Sequence, residues 1–214
     1  MSIRRRTLLA ASPALLLGGG ALFGGVLAAG APARAAAGAD PRMADRALGK
    51  PDAKLVVQEW FSLTCTHCAR FAQVVFPEVK QKLIDTGRIR YVFKDYPLDQ
   101  VALLAAMVAR ALPPERYEPF VMSLLASQDR WAFAPNADPQ AELAKMAALA
   151  GMSHELFQKT IADDGLKQAI LDEQDRGVKQ FKIDSTPSFL FGSKLVTGEM
   201  DYDTFLKNVT EAGA

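Results

Sequence analysis

Both cysteines of the 214-residue chain lie in one short segment, WFSLTCTHCAR, which runs from Trp60 to Arg70. Cys65 and Cys68 are separated by two residues, and His67, one of only two histidines in the chain, lies between them. Two thiols at this spacing can attach a haem, bind a metal, form a structural disulfide or exchange electrons. The surrounding residues distinguish among these four kinds of chemistry.

Three of the four receive little support from the neighbouring residues. Covalent haem attachment requires a histidine directly after the second cysteine, and that position holds Ala69. A structural zinc site requires four ligands, and besides the cysteines the chain offers only His67 and the distant His154. A structural disulfide between Cys65 and Cys68 would close a very short loop and stabilise the fold little, because the stabilisation grows with loop length.

The elements predicted on either side of the pair favour electron exchange. The residues from Lys54 to Ser62 are mostly β-branched and aromatic, which predicts a buried strand, and a helical pattern begins at Thr66. Cys65 would therefore lie at a helix N-terminus, where free N–H groups and the helix dipole stabilise a thiolate. A thiolate is the nucleophile of disulfide exchange. Cys68, one turn later, would be more buried and would resolve the mixed disulfide.

The remaining pattern predicts an α/β fold in the order β-α-β, a helical block, then β-β-α. The first helix extends to Asp85, and Pro77 is expected to kink it. A second strand begins at Arg88 and is stopped at Pro97, and a long block with Ala, Leu and Met at helical spacings comes next. A hairpin that turns at 192–193 and an amphipathic helix, with Asp201 or Asp203 as its N-cap, complete the chain.

Three stretches of the sequence resemble the DsbA family of bacterial thiol:disulfide oxidoreductases. They are EWFSLTCTHC around the cysteine pair, the lead-in RALGKPDA, and DSTPSFLFG near the C-terminus. The resemblance implies a thioredoxin-like fold with a helical insertion, and it identifies Pro187 as the residue of a cis-proline loop, with Thr186 before it. It departs from the commonest family pattern at Thr66 and Thr186, two positions that tune the redox poise and the handling of substrates, so the resemblance fixes the type of reaction more firmly than its direction.

The resemblance also implies roles for residues near the thiols. His67 is expected to stabilise the Cys65 thiolate by donating to it or by its charge. Glu59 corresponds to a buried acid that moves protons at the second cysteine, although a strand glutamate facing water is an equal alternative. Lys94, on the next strand, is a possible partner of Glu59.

For function, the resemblance implies an enzyme that introduces disulfides into reduced or unfolded exported proteins. The cysteine pair would be its redox centre without a bound cofactor, a quinone-linked membrane oxidase of the DsbB type would reoxidise it, and it would act as a monomer. Two alternatives remain open: a disulfide isomerase or reductase of the same compartment, and a non-enzymatic copper-binding protein using Cys65, His67 and Cys68.

The first 39 residues read as an export signal. Three consecutive arginines, Arg4 to Arg6, precede a long uncharged stretch and alanine-rich cleavage sites near residues 35–39, a pattern that resembles twin-arginine signals. We expect a periplasmic protein with the signal removed, although membrane anchoring is an alternative.

The chain has no basic tract interleaved with aromatic residues, so the sequence gives no indication of a nucleic-acid partner. The expected boundaries are 1–39 for the signal, 40–97 and 180–214 for the thioredoxin-like domain, and 98–179 for the helical insertion.

Overall fold

The computed structural model describes residues 40–214, so the export signal predicted for residues 1–39 lies outside the described residues. A five-stranded mixed sheet with the strand order β1-β3-β2-β4-β5 forms the centre of this part. The two middle strands β2 and β3 are parallel, and the other pairings are antiparallel. The strands are β1 (Arg46–Leu48), β2 (Leu55–Phe61), β3 (Ile89–Asp95), β4 (Ser188–Phe191) and β5 (Lys194–Thr197).

Helices cover the sheet and fill the long connection between β3 and β4. Six of them lie in that connection, which agrees with the predicted helical block. Within the described residues, no helix is both long and apolar enough to cross a membrane. The helices are α1 (Thr66–Arg70), α2 (Phe76–Val79), α3 (Gln100–Ala111), α4 (Pro114–Ala126), α5 (Gln128–Trp131), α6 (Pro139–Leu149), α7 (His154–Ile161), α8 (Asp164–Arg176) and α9 (Tyr202–Glu211).

The predicted strands, hairpin and final helix are confirmed. The hairpin of β4 and β5 pairs Phe191 with Lys194 across the predicted turn, and Asp201 caps α9 by accepting a hydrogen bond from the Thr204 N–H at 2.8 Å. The sequence did not reveal β1, whose three residues lie in the lead-in before β2. So short a strand exists because β3 offers it an edge, and no residue pattern within the segment can show that.

Near Pro77, where the sequence predicts a kink, the helix contains a π turn. Helix α1 continues into the wide turn Phe71–Val75, and α2 begins directly after it with Pro77 in its first turn. Proline is tolerated there because the first N–H groups of a helix have no partner within it. The helix thus passes the proline without ending, and it keeps Cys65 and Cys68 on its first turn.

An aromatic core joins the sheet to the helix that carries the cysteines. Phe71, which follows α1, packs on Phe189 of β4 with ring centroids 4.7 Å apart, and Phe76 of α2 packs on Tyr91 of β3 at 5.3 Å. These contacts exclude water beneath the cysteine pair, since each of these rings is at most 3% exposed. The position of α1 on the sheet is therefore set by the burial of large apolar side chains.

Candidate active site

Cys65 caps the N-terminus of α1, as the sequence predicts. Its backbone is extended (φ −81°, ψ 119°), and its Sγ accepts a hydrogen bond from the Cys68 backbone N–H at 3.3 Å. Both cysteines are free thiols, and Cys65 is 7% exposed whereas Cys68 is completely buried. Cys65 is therefore the sulfur that an external thiol or disulfide can reach first.

The pKa values of the two thiols are shifted in opposite directions. A hydrogen bond from the Cys68 side chain, together with donors on Thr186 and the backbone N–H groups of Cys68 and His67, lowers the pKa of Cys65 to about 5 against the opposing effect of burial. Burial raises the pKa of Cys68 far above its usual range, and the hydrogen bond to Cys65 and the charge of Glu59 add to this effect. An ionised nucleophile is thus paired with a second thiol that keeps its proton.

The Thr186–Pro187 loop lies against Cys65. The Thr186–Pro187 peptide bond is cis, as the resemblance implies, and the Cys65 Sγ donates to the Thr186 carbonyl at 3.4 Å. The Thr186 hydroxyl is buried and makes no hydrogen bond of ordinary distance and angle within residues 40–214, but its weaker contact still contributes to the lowered pKa of Cys65. A hydroxyl beside a sulfur can donate to the thiolate, so the Thr186 side chain favours the ionised form of Cys65.

Glu59 is buried rather than exposed to water. It is 2% exposed, and its Oε2 accepts a hydrogen bond from the Tyr91 hydroxyl at 2.7 Å. Burial raises the pKa of Glu59 to about 7, and the charge of Cys65 adds to the rise, whereas the Tyr91 hydrogen bond opposes it. A carboxyl group with this pKa can both take up and release a proton near neutral pH.

The suggested pairing of Lys94 with Glu59 is wrong. Lys94 Nζ lies 2.7 Å from Glu173 Oε1 and 2.9 Å from Asp45 Oδ1. In the parallel register Glu59 lies opposite Phe93 and Lys94 opposite Trp60, so Glu59 and Lys94 point to opposite faces of the sheet.

His67 is directed at an acid that the sequence did not single out. Its Nδ1 lies 3.2 Å from Glu199 Oε2, and the other carboxylate oxygen lies 3.1 Å from Arg70 Nη1. The side chain of His67 is 58% exposed, and it is the backbone N–H of His67 that contributes to the low pKa of Cys65. No sequence signal pointed to Glu199, because it lies in the loop after β5, more than 130 positions from His67.

The helical insertion holds the loop that carries Cys65. The side-chain amide of Gln128, a buried residue of α5, donates to the carbonyl oxygens of Leu63 at 2.8 Å and Cys65 at 3.0 Å. The Thr64 hydroxyl donates to Asp99 Oδ2 at 2.7 Å. Sequence reasoning missed both anchors, since Gln128 and Asp99 are ordinary polar residues until the insertion folds over the loop.

The residues described contain no group of three or more His, Cys, Asp or Glu side chains that could hold a metal ion. The arrangement of the two thiols, the buried acid and the cis-proline loop can perform thiol–disulfide exchange. Cys65 is ionised and the more exposed sulfur, Cys68 is fully buried and protonated, and the titratable Glu59 interacts electrostatically with both.

Comparison with known proteins gives matches over most of the described residues. A family model described as Thioredoxin matches residues 42–211. A chain named as a protein-disulfide oxidoreductase in Rickettsia bellii is 34% identical over 146 residues, which are 68% of this chain and 56% of the relative. Five such Rickettsia relatives are matched over only 56% to 61% of their length.

Solved structures share the fold. The crystal structure of alpha-DsbA1 from Wolbachia pipientis is 28% identical, with a TM-score of 0.72 over 79% of this chain and 91% of that one. A protein-disulfide isomerase from Novosphingobium aromaticivorans has a TM-score of 0.69 over 79% of this chain and 98% of its own, at 21% identity, which is a likeness of fold alone.

Proposed function

Because this chain belongs to the thioredoxin family and has the fold of the DsbA proteins, we propose that it is a thiol:disulfide oxidoreductase that transfers the Cys65–Cys68 disulfide to reduced exported proteins. The observation that carries the proposal is the contrast between the two sulfurs: Cys65 is slightly exposed with a pKa of about 5, whereas Cys68 is completely buried with a raised pKa. A structural disulfide needs no such difference.

The reaction moves two electrons and two protons from the client to the enzyme. A client thiolate attacks the Sγ of Cys65, the Cys65–Cys68 bond breaks, and Cys68 leaves with the electron pair and takes up a proton. A second client thiolate then attacks the client sulfur of the mixed disulfide and releases Cys65 as a thiolate. The client gains a disulfide, and the enzyme ends as the dithiol.

Stabilisation of the Cys65 thiolate supports the oxidising direction. The reduced enzyme carries the charge that the N-terminus of α1 and the Thr186 hydroxyl stabilise, whereas the disulfide carries no charge there. Pro187 would position the client strand beside Cys65. A periplasmic location and reoxidation by a quinone-linked membrane oxidase of the DsbB type complete the proposal.

The test uses the oxidised protein and a reduced, unfolded client that has one native disulfide. We expect the client to gain its disulfide while the enzyme loses its own, with both changes read by alkylation of free thiols and mass spectrometry. The Cys65→Ser and Cys68→Ser double variant is the control. A client that gains no disulfide, with the enzyme still oxidised, would contradict the proposal.

A disulfide isomerase or reductase would use the same residues in the opposite redox state. The thiol state of the protein in its own cells distinguishes these functions, because an oxidase is kept oxidised and an isomerase or reductase is kept reduced. Metal analysis of the purified protein tests the copper-binding alternative, for which one equivalent of copper on Cys65, His67 and Cys68 is the expected result.

A further inference from the structure

Tyr91 of β3 fixes one of the two carboxylate oxygens of Glu59. The Tyr91 hydroxyl donates to Glu59 Oε2 at 2.7 Å, and the two side chains are 0% and 2% exposed. The other oxygen, Oε1, is buried and has no hydrogen-bond partner among residues 40–214. A buried polar atom without a partner is costly and calls for an explanation, and a role in proton exchange provides one.

Few titratable groups face Glu59. On the sheet, Glu59 lies opposite Phe93 of β3 and Phe189 of β4, neither of which titrates. From α1, Cys65 and Cys68 both interact electrostatically with Glu59. Of these two, Cys68 is the thiol that holds its proton, so it is the group that can give a proton to Glu59 or take one from it.

We propose that Tyr91 is a positioning residue of the exchange reaction, which holds Glu59 by Oε2 so that the free Oε1 exchanges a proton with Cys68. This inference rests on the proposed function. When a client thiolate attacks Cys65, Cys68 leaves with the electron pair of the broken disulfide and takes the proton from Glu59. In the reverse step, Cys68 gives its proton to the Glu59 carboxylate, attacks the Sγ of Cys65 and expels the client thiolate.

Loss of the Tyr91 hydroxyl shifts the protonation of Glu59 in a defined direction. The hydroxyl donates to the carboxylate and so stabilises its charged form. Without this donor the pKa of Glu59, which burial already raises to about 7, rises further. Glu59 can then accept the proton of Cys68 only at a higher pH, and resolution of a mixed disulfide by Cys68 slows at neutral pH.

The experiment compares Tyr91→Phe with the matched control Tyr117→Phe. Tyr117 is also fully buried, and its hydroxyl donates to the buried Asp95 at 3.2 Å, on the strand end that faces the helical insertion. Each reduced protein is mixed with excess oxidised glutathione at a series of pH values and quenched with acid. Mass spectrometry then separates the glutathione mixed disulfide from the internal disulfide.

For Tyr91→Phe we expect the mixed disulfide to resolve about tenfold more slowly at low pH, and the pH midpoint of resolution to rise by about one unit, the effect of one hydrogen bond to a charged group. Tyr117→Phe should keep the wild-type profile. Identical profiles for the wild type and Tyr91→Phe would overturn the inference, as would a Glu59→Gln variant with the wild-type pH dependence.

A second substitution covers the case in which Tyr91→Phe does not fold. A fluorinated tyrosine introduced at position 91 keeps the shape of the side chain and donates more strongly, so the midpoint should move to lower pH, and an unchanged midpoint would count against the inference. Failure of the proposed function looks different, because the wild-type protein would then form neither the mixed nor the internal disulfide.

Discussion

Cys65 and Cys68 divide the exchange reaction between a slightly exposed sulfur and a completely buried one. Cys65 can form a mixed disulfide with a client, and only Cys68 lies close enough behind it to break that disulfide. We expect Cys68→Ala to accumulate clients as mixed disulfides through Cys65, and Cys65→Ala to accumulate far fewer. Non-reducing gels of cell extracts measure both, and the reverse pattern would mean that the two roles are exchanged.

The acidity of Cys65 can be measured directly. Thiolate absorbance near 240 nm should titrate in the reduced protein with a midpoint at about pH 5, and the oxidised protein, as the control, should show no such transition. At pH 7, ionisation with that pKa stabilises the reduced form by the equivalent of about two pK units. This raises the reduction potential by at most about 60 mV, and solvent screening makes the actual increase smaller. A midpoint near that of free cysteine would favour the reductase alternative.

Glu199 should moderate the oxidising power of the pair. Its carboxylate pairs with Arg70 and contacts His67 on the helix that Cys65 caps, so Glu199→Gln removes a negative charge near Cys65 and stabilises the reduced form. Because these groups are partly exposed, we expect only a roughly threefold shift of the glutathione equilibrium toward the dithiol, and less at high salt.

Glu211→Gln is the matched control for Glu199→Gln. Glu211 pairs with Lys194, which begins β5 at the turn of the hairpin, whereas Glu199 follows the other end of that strand. The control should leave the glutathione equilibrium unchanged. An equal shift in the two variants would show that overall charge, rather than the contact of Glu199 with His67 and Arg70, sets the effect.

At the level of elements, the end of α8 packs directly on the strand that leads to the cysteines. Gly177, at the C-terminus of α8, leaves no space for a methyl group, because an added Cβ would overlap the six-membered ring of Trp60 on β2. Trp60 is 2% exposed and also contacts Phe181 with ring centroids 6.2 Å apart. The helical insertion thus packs against β2, the strand whose end leads into the active-site loop.

Gly177→Ala should therefore destabilise the protein by about 1–3 kcal/mol, since the overlap forces Trp60 or α8 to move. Gly165→Ala in the first turn of the same helix is the control, because its added Cβ meets only the Asp163 side chain at 3.2 Å and alanine favours the helix. Urea unfolding of the oxidised proteins measures both effects. Equal stability of the two variants would contradict the tight packing at Gly177.

For the molecule as a whole, the buried Glu59 makes stability depend on pH. The pKa of Glu59 rises from 4.5 to about 7 on folding, mainly through burial. Below pH 4.5 the carboxyl is protonated in both states, and between about pH 4.5 and 7 only the unfolded state ionises, so the folded state loses stability as pH rises. Above about pH 7 the loss is complete, at about 3 kcal/mol.

We expect the wild-type protein to lose about 2–3 kcal/mol more than Glu59→Gln between about pH 4.5 and 7.5, measured by urea unfolding of the oxidised forms. Carboxylates with lowered pKa values give the opposite slope at lower pH, but both proteins share them, so they cancel in the comparison. Parallel pH curves for the two proteins would show that Glu59 is ionised in the folded state. The shared carboxylates are Asp40, Asp163, Asp201 and Glu211.

The sequence by itself determined the features that depend on local order. The strand before the cysteines, Cys65 at the start of a helix, the hairpin and the capped final helix each follow from neighbouring residues, because hydrophobic periodicity and capping act within one element. The resemblance of the STPSF stretch added the cis bond at Pro187. These residues were enough to identify the type of chemistry.

Only the tertiary structure decided which side chains meet around the thiols. The parallel register of β2 and β3 brings Tyr91 to Glu59 and turns Lys94 away, and the fold brings Glu199 to His67 from the far end of the chain. Such contacts depend on strand pairing and on the burial of apolar faces between distant segments, and neither is encoded in the spacing of nearby residues. The pKa values of the site follow from the same burial, since desolvation exists only once the chain has folded.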